Sequence, residues 1–301
     1  MTPDQITLAE SDLGPREALG KGGMAVVYRL PDLHLPEAPS GQWAYKKYKA
    51  KARPVSTFAL QQLVLSLINR DPAQRSAIER CTNWPARVVV DDGHGAAGVV
   101  LPLLEDEFFF DLHKSSGTID HKPFELQFLM QDEDYCRRVG VPLVTGQQRR
   151  EIVRALTYCL AVLHRAEFVY GDVSARNFIV SLTPKVRVKA VDCDSIRVRG
   201  SVAATGRQPH SPDWEPPECI SAKRRKDNVR YTIQSKETDS YKLGLAILRL
   251  LTPGKGSSVN LDPTRAKTTL PPHLYSLLER SLSANPANRP SPKEWHQGLV
   301  K

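Results

Sequence analysis

The chain has 301 residues, of which 41% are hydrophobic and 25% charged. This is the composition of a soluble globular protein of one large domain or two smaller ones, and it excludes a collagen-like, disulfide-scaffold or wholly disordered chain. The formal net charge of +9 suits a polyanionic ligand, a nucleic acid or a membrane surface, a choice that composition leaves open. Apolar stretches such as 243–248 are far too short to span a bilayer. The N-terminus, with Asp4, Glu10 and Asp12, has neither the basic start nor the apolar run of a signal peptide. Five scattered cysteines with no C-x-x-C argue against a disulfide framework or a zinc ribbon, so a cytoplasmic location is expected.

Residues 1–14 are polar and read as a short arm. Over 13–29 the pattern predicts a strand, a glycine turn and a second strand through Ala25-Val26-Val27-Tyr28. The proline-rich stretch 31–42 reads as a loop, 43–49 as the next strand, and 57–69 as an apolar helix. Two strand-like runs follow at 87–90 and 98–101, with a turn at 91–95 between them. The stretch 105–146, which contains Phe108-Phe109-Phe110, has no clear periodicity. At 147–164 the spacing of Ile152, Leu156, Leu160 and Leu163 predicts an amphipathic helix. Short strands flank 168–196, and helical patterns recur at 239–251, 272–283 and 292–300. A strand-rich front and a helix-rich rear suggest two unequal lobes with a boundary near 102–106.

Chemistry gathers at a few places along this order. In Gly20-Lys21-Gly22-Gly23-Met24-Ala25, glycines between two strands let backbone amides approach phosphate oxygens that a Cβ would hold away. On the next strand, Ala44-Tyr45-Lys46 offers a lysine that can pair with phosphate, although Lys47, Lys49 and Lys51 nearby are expected to be solvated charges. The run Tyr170-Gly171-Asp172-Val173-Ser174-Ala175-Arg176-Asn177 places an Asp and an Asn in one loop, where they can divide base and metal duties. Val191-Asp192-Cys193-Asp194 closes a short strand with a carboxylate. Asn177 and Asp192 are hard oxygen ligands of the kind Mg²⁺ prefers, leaving its other positions for water and phosphate.

Taken in order, these segments resemble the protein kinase signature set of Gly-rich loop, strand lysine, catalytic-loop D-x-x-x-x-N and metal-binding Asp. The resemblance continues downstream. Ser211-Pro212-Asp213-Trp214-Glu215-Pro216-Pro217-Glu218 looks like the end of an activation segment, with Pro216-Pro217-Glu218 in the A-P-E place. Asp239-Ser240-Tyr241-Lys242-Leu243-Gly244 looks like the D-x-W-S-L-G start of the central helix, and Arg289-Pro290-Ser291 like the late element whose arginine pairs with the A-P-E glutamate. The chain is thus similar to a protein kinase catalytic domain over 19–291. Asp192-Cys193-Asp194-Ser195 and Pro216-Pro217-Glu218 look most like a bacterial branch with D-x-D-S for D-F-G.

The resemblance implies an α+β fold of two lobes: a small β-rich lobe with one main helix over 1–104, and a larger, mostly helical lobe over 105–301. It implies ATP and Mg²⁺ as cofactors and transfer of the γ-phosphate to a protein. Lys46 would bind the α- and β-phosphate oxygens, Asp172 would take the acceptor's proton, Arg176 would assist it, and Asn177 and Asp192 would hold Mg²⁺. Gly20, Lys21, Gly22, Gly23, Met24, Ala25, Val27 and Ala44 would line the nucleotide site, with the hinge at Leu101, Pro102 and Leu104. Leu104 N–H and the Pro102 carbonyl would meet adenine, since Pro102 has no N–H to donate.

Several positions depart from that pattern. Gly171 stands where an arginine is expected, so a phosphorylated activation loop would lack its usual cationic partner. Cys193 replaces the phenylalanine of D-F-G, and Ala25 the third loop glycine. The helix after Lys46 offers Gln61 and Gln62 and no glutamate, so the lysine's partner is one of these or comes from elsewhere, such as Glu79.

Tyr170-Gly171-Asp172 and Asp192-Cys193-Asp194 also resemble small-molecule kinases of the aminoglycoside phosphotransferase type; Glu218 and Arg289 favour a protein substrate. Ser211 points to Ser/Thr acceptors, whereas Arg176 and Trp214 resemble tyrosine kinases; Ser/Thr is the expected class, with Arg176 in place of the lysine and Tyr as the alternative. A pseudokinase scaffold that binds nucleotide without transfer is the non-enzymatic alternative. Lys223-Arg224-Arg225-Lys226 and Arg230 form a basic insertion, read either as a solvated loop or as a docking site for an acidic partner at 223–230. No aromatic stacking platform accompanies it, so neither nucleic acid nor membrane is an expected partner. Ser195, Ser201, Thr205 and Ser211 are candidate autophosphorylation positions. The chain ends soon after Ser291, and no attached sensor or membrane anchor is expected.

Overall fold

The structure, a computed structural model, describes residues 1–300 apart from 37, 39, 94, 205, 207 and 209. Thr205, one of the candidate phosphate acceptors, lies outside the described residues. The chain is mixed α and β and divides into two compact units, Met1–Leu104 with Asp192–Gln208, and Glu105–Val191 with Pro209–Lys301.

The first unit is built on a six-stranded sheet, with β1 (Thr7–Ala9), β2 (Glu17–Lys21), β3 (Ala25–Leu30), β4 (Trp43–Tyr48), β5 (Arg87–Val90) and β6 (Ala96–Pro102) in the order β1-β5-β6-β4-β3-β2. Alternation sorts its side chains to two faces. Val88 and Val99 join one apolar cluster, which α1 (Thr57–Ile68) covers with Leu60, Val64 and Leu65. Val89 and Val100 join the other, with Trp43, Tyr45 and Leu30.

The N-terminal residues are no free arm. β1 pairs in parallel with β5, and Ile6 and Leu13 are 0% and 1% exposed. These two side chains enter opposite clusters and, with Leu8 against one of them, tether a stretch whose average polarity hides them. A second helix, α2 (Pro72–Cys81), joins α1, so the unit carries two helices rather than one main helix. Asp71 caps α2 by accepting from Gln74 N at 2.9 Å, and Pro72 fits its first turn, where no N–H is needed. Its buried side chains are Ile78 and Cys81, too few to write an apolar stripe into the sequence. Asp192–Gln208, read from sequence as part of the second lobe, packs in this unit. Ser56 N donates to Ala204 O at 2.7 Å, and Ala204 belongs to the α1-facing cluster.

The second unit is mostly helical. Its elements are the hairpin β7 (Phe109–His113) and β8 (Ile119–Pro123), α3 (Glu133–Val139), α4 (Gly146–Arg165), the short β9 (Phe168–Val169), the hairpin β10 (Phe178–Ser181) and β11 (Arg187–Ala190), then α5 (Pro217–Arg224), α6 (Asn228–Thr232), α7 (Lys236–Leu251), α8 (Pro272–Ser281) and α9 (Pro292–Gly298). The β7–β8 hairpin and α3 occupy the stretch without periodicity. Both strands are largely exposed, so neither face imposes an apolar alternation. The basic insertion is only in part a loop: Lys223 and Arg224 end α5, Arg225 and Lys226 lie in the turn that follows, and Arg230 lies on α6, which Asp227 caps through Arg230 N.

Capping boxes start α4 (Thr145 and Gln148), α7 (Ser235 and Thr238) and α9 (Ser291 and Glu294), each satisfying helix N–H groups that have no partner inside the helix. Every α7 residue from Thr238 to Leu250 is buried, so α7 carries Asp239, Lys242 and Arg249 into the interior. Gly244 makes this packing possible: a Cβ there would lie 2.4 Å from Ser281 Cβ on α8. All five cysteines are free and buried. Among the described residues, no helix is long and apolar enough to cross a membrane.

A Cβ on Gly98 would lie 2.1 Å from the Lys46 carbonyl oxygen, where backbone cannot yield. Gly98→Ala is therefore expected to destabilise the protein by about 3 kcal/mol, at the upper end of overpacking costs. Urea denaturation midpoints beside the wild type check this.

Candidate functional site

In the first unit the glycine-rich turn joins β2 to β3 and is closed by Gly22 N donating to Ala25 O at 3.0 Å. A Cβ on Gly20 or Gly23 would meet no atom within 4 Å, so packing does not explain glycine there. Val27 pairs with Lys46 and Ala25 with Tyr48, while Ala44 pairs with Leu101 and Trp43 with Pro102. Leu103 N is committed to Gln42 O at 2.8 Å, and Leu104 closes this part of the unit.

Lys46 and Tyr48 stand two apart on β4 and so share a face of the sheet. Lys46 Nζ donates to Asp194 Oδ1 at 2.7 Å and to Asp192 Oδ1 at 3.0 Å, and Tyr48 Oη donates to Asp194 Oδ2 at 2.7 Å. Burial alone would lower the Lys46 pKa, but the charges of Asp194 and Asp192 outweigh it and push the pKa above the ordinary lysine value. Burial alone would raise the Asp194 carboxyl; Lys46 and Tyr48 hold it below the usual carboxylate range instead. The two acids differ in setting. The Asp194 side chain is 8% exposed and that of Asp192 58%. Asp192 is held at φ 55°, in the left-handed region, and its carbonyl accepts from Ser195 Oγ at 3.1 Å. Cys193 between them is fully buried, and that burial pushes its thiol well up, so it acts as a small apolar side chain.

The partner of Lys46 is thus not on α1. Gln61 donates to Thr7 Oγ1 at 2.9 Å, Gln62 is exposed, and Glu79 pairs with Arg75 on α2 at 2.7 Å. Asp194 was missed because a glutamate on the following helix was expected. Its signal in the sequence was the second acid of Asp-Cys-Asp, together with a tyrosine two residues after the lysine.

In the second unit the loop after β9 hangs on the fully buried carboxylate of Asp239. Tyr170 N donates to Oδ2 and Gly171 N to Oδ1, both at 2.8 Å, and His164 Nε2 lies 3.1 Å from Oδ2. Gly171 has φ +81°, which a side chain would strain. Both oxygens of the Asp172 carboxylate are then engaged. Ser211 donates to Oδ1 through N at 3.1 Å and Oγ at 2.9 Å, and Asn177 Nδ2 donates to Oδ2 at 2.8 Å. Asn177 Nδ2 also donates to Asp172 O at 2.8 Å, so its amide nitrogen is committed to that residue. Arg176 is exposed, and its Nε donates to Gln127 Oε1 at 3.1 Å.

Glu218 and Arg289 form a bidentate pair, both bonds 2.7 Å, with the Arg289 side chain buried over the Tyr241 ring. Glu215 accepts from Lys223 at 2.9 Å and from Tyr231 Oη at 3.0 Å, which ties α5 and α6 to the segment that starts at Ser211. The structure therefore brings Lys46 together with Asp192 in one unit, and Asp172 with Asn177 and Ser211 in the other. Among the described residues, no group of three or more His, Cys, Asp or Glu is arranged to hold a metal ion. No protein-family model matches the chain, and no curated protein matches it.

Removing one member of a buried ion pair leaves the other uncompensated. Asp194→Asn is expected to cost about 3–5 kcal/mol, whereas the exposed Asp192→Asn should change stability by less than about 1 kcal/mol. Equal losses in denaturant titrations would refute this division of the two acids.

Proposed function

We propose that the chain is an ATP- and Mg²⁺-dependent protein kinase of bilobal protein-kinase-like fold that phosphorylates Ser or Thr. The observation that carries the proposal is the hydroxyl of Ser211 donating to Asp172 at 2.9 Å. That is the hydrogen-bond reach a general base needs toward an acceptor hydroxyl. Asp172 already receives an alcohol proton in this geometry, while Asn177 fixes its other oxygen.

Mg²⁺, when bound, neutralises phosphate oxygens and the charge that develops on transfer. The exposed carboxylate of Asp192 and the amide oxygen of Asn177, whose nitrogen is spent on Asp172, are each a hard oxygen donor of the type this cation takes. A cation held by one carboxylate, an amide and substrate phosphates needs no all-protein cage. Lys46, kept charged by Asp194, binds α- and β-phosphate oxygens. The turn Gly20–Ala25 would cover the phosphates, and the Pro102 carbonyl and Leu104 N–H would bind adenine. Asp172 orients the acceptor hydroxyl and takes its proton as the oxygen bonds the γ-phosphorus and the bond from phosphorus to the bridging oxygen breaks.

The Glu218–Arg289 pair supports a protein over a small-molecule acceptor, because it braces the segment from Ser211 onward as a platform for a peptide. Arg224 at the end of α5, Arg225 and Lys226 in the turn after it, and Arg230 on α6 are exposed and would suit an acidic partner, although Arg230 lies 3.5 Å from Asp227 and Lys223 is paired with Glu215.

The test is transfer of labelled γ-phosphate from Mg-ATP to a generic protein or to the chain itself. Asp172→Asn is expected to lower turnover by about 10²–10⁴. Nucleotide binding without transfer by the wild type would favour the scaffold reading, and unchanged transfer by the variant would remove Asp172 from the role.

A further inference from the structure

Lys242 lies on α7, three residues after Asp239, so the two side chains share one face of the helix. It is fully buried. Its Nζ donates to Gly171 O at 2.5 Å and to Gln234 Oε1 at 2.6 Å. Asp239, a turn earlier, accepts from the N–H of the same Gly171 at 2.8 Å. The residue before Asp172 is thus gripped at both of its backbone polar groups by opposite charges from one helix.

This grip is costly to build. Burial pushes the Lys242 pKa below the ordinary lysine value, and the negative charges of Asp172 and Asp239 offset that only in part. An apolar side chain would suit this position better, since every neighbour on α7 from Thr238 to Leu250 is buried. A buried ammonium is weak grounds for stability, and its retention calls for another reason. Gly171 supplies one. With no side chain of its own and φ +81°, it has nothing but its backbone by which to be held.

We propose that Lys242 is a positioning residue: with Asp239 it clamps Gly171 from inside the second unit, and so fixes the direction of the Asp172 carboxylate toward the acceptor hydroxyl. The proposal rests on the kinase reading for its effect on rate, but the clamp itself is a property of the loop. Gln234 orients the ammonium by accepting its second hydrogen bond.

The experiment compares wild type, Lys242→Met and Lys242→Met/Gln234→Leu. The first variant removes the charge at similar length, and the second also removes one of the two acceptors left behind, Gln234 Oε1. Each is measured for kcat and KM for ATP, for melting temperature, and for amide hydrogen exchange over 170–177. Lys242→Met is expected to lower kcat by about 10², the scale of a small misplacement of a reacting group, with KM for ATP unchanged and exchange over 170–177 accelerated. The double variant should regain melting temperature but neither kcat nor protection, and it carries the comparison if the single variant folds poorly. Recovery of kcat in step with melting temperature, or wild-type protection over 170–177 in both variants, would overturn the clamp. Absence of transfer by the wild type would count against the kinase reading alone, and the exchange comparison would still decide the role of Lys242.

Discussion

A carboxylate taken wholly out of water costs several kcal/mol unless donors meet it, and Asp239 is met by two backbone amides and a histidine. The amides belong to Tyr170 and Gly171, so satisfying this one charge sets the backbone on which Asp172 is carried. Tyr170 extends the constraint. Its ring is buried, and its hydroxyl donates to Val191 O at 2.5 Å and to Asn177 O at 3.1 Å. Val191 N in turn donates to Asn177 O at 2.9 Å. The loop from 170 to 177 is closed on itself and on α7, and both oxygens of Asp172 are aimed by Ser211 and Asn177.

The first unit uses the same physics for a different end. Lys46 is buried and needs a counter-charge, and the chain supplies two acids of unequal exposure. Asp194, buried and bonded to Lys46 and Tyr48, holds the ammonium in place. Asp192, mostly exposed, meets the same ammonium through Oδ1. The counter-charge of Lys46 thus comes from these two acids and not from α1. The Asp-Cys-Asp sequence sets one acid in the interior and one toward solvent, with a buried thiol between them.

Much of this was legible in the sequence. The glycine turn between strands, the strand bearing Lys46, the helix over Gln147 to His164 and the buried helix after Asp239 all stand close to where periodicity put them. What was not legible shares a cause. Ile6 and Leu13 are the buried anchors of a short stretch that is polar on average, so pattern-reading misses the strand between them. α2 presents too narrow an apolar stripe, and the β7–β8 hairpin is too exposed to alternate cleanly. Asp194 and Lys242 were the informative misses. Each acts on a residue far away in the chain, Lys46 and Gly171, and local propensity carries no trace of such a pairing.

The central claim is that the exposed acid, and not the buried one, serves a nucleotide-bound cation. Calorimetric titration of ATP into the wild type and Asp192→Asn, each with and without Mg²⁺, tests it most directly. The account predicts that Mg²⁺ tightens binding to the wild type and has little effect on the variant, which keeps its fold. An equal Mg²⁺ effect on both proteins, or no nucleotide binding by the wild type, would contradict it.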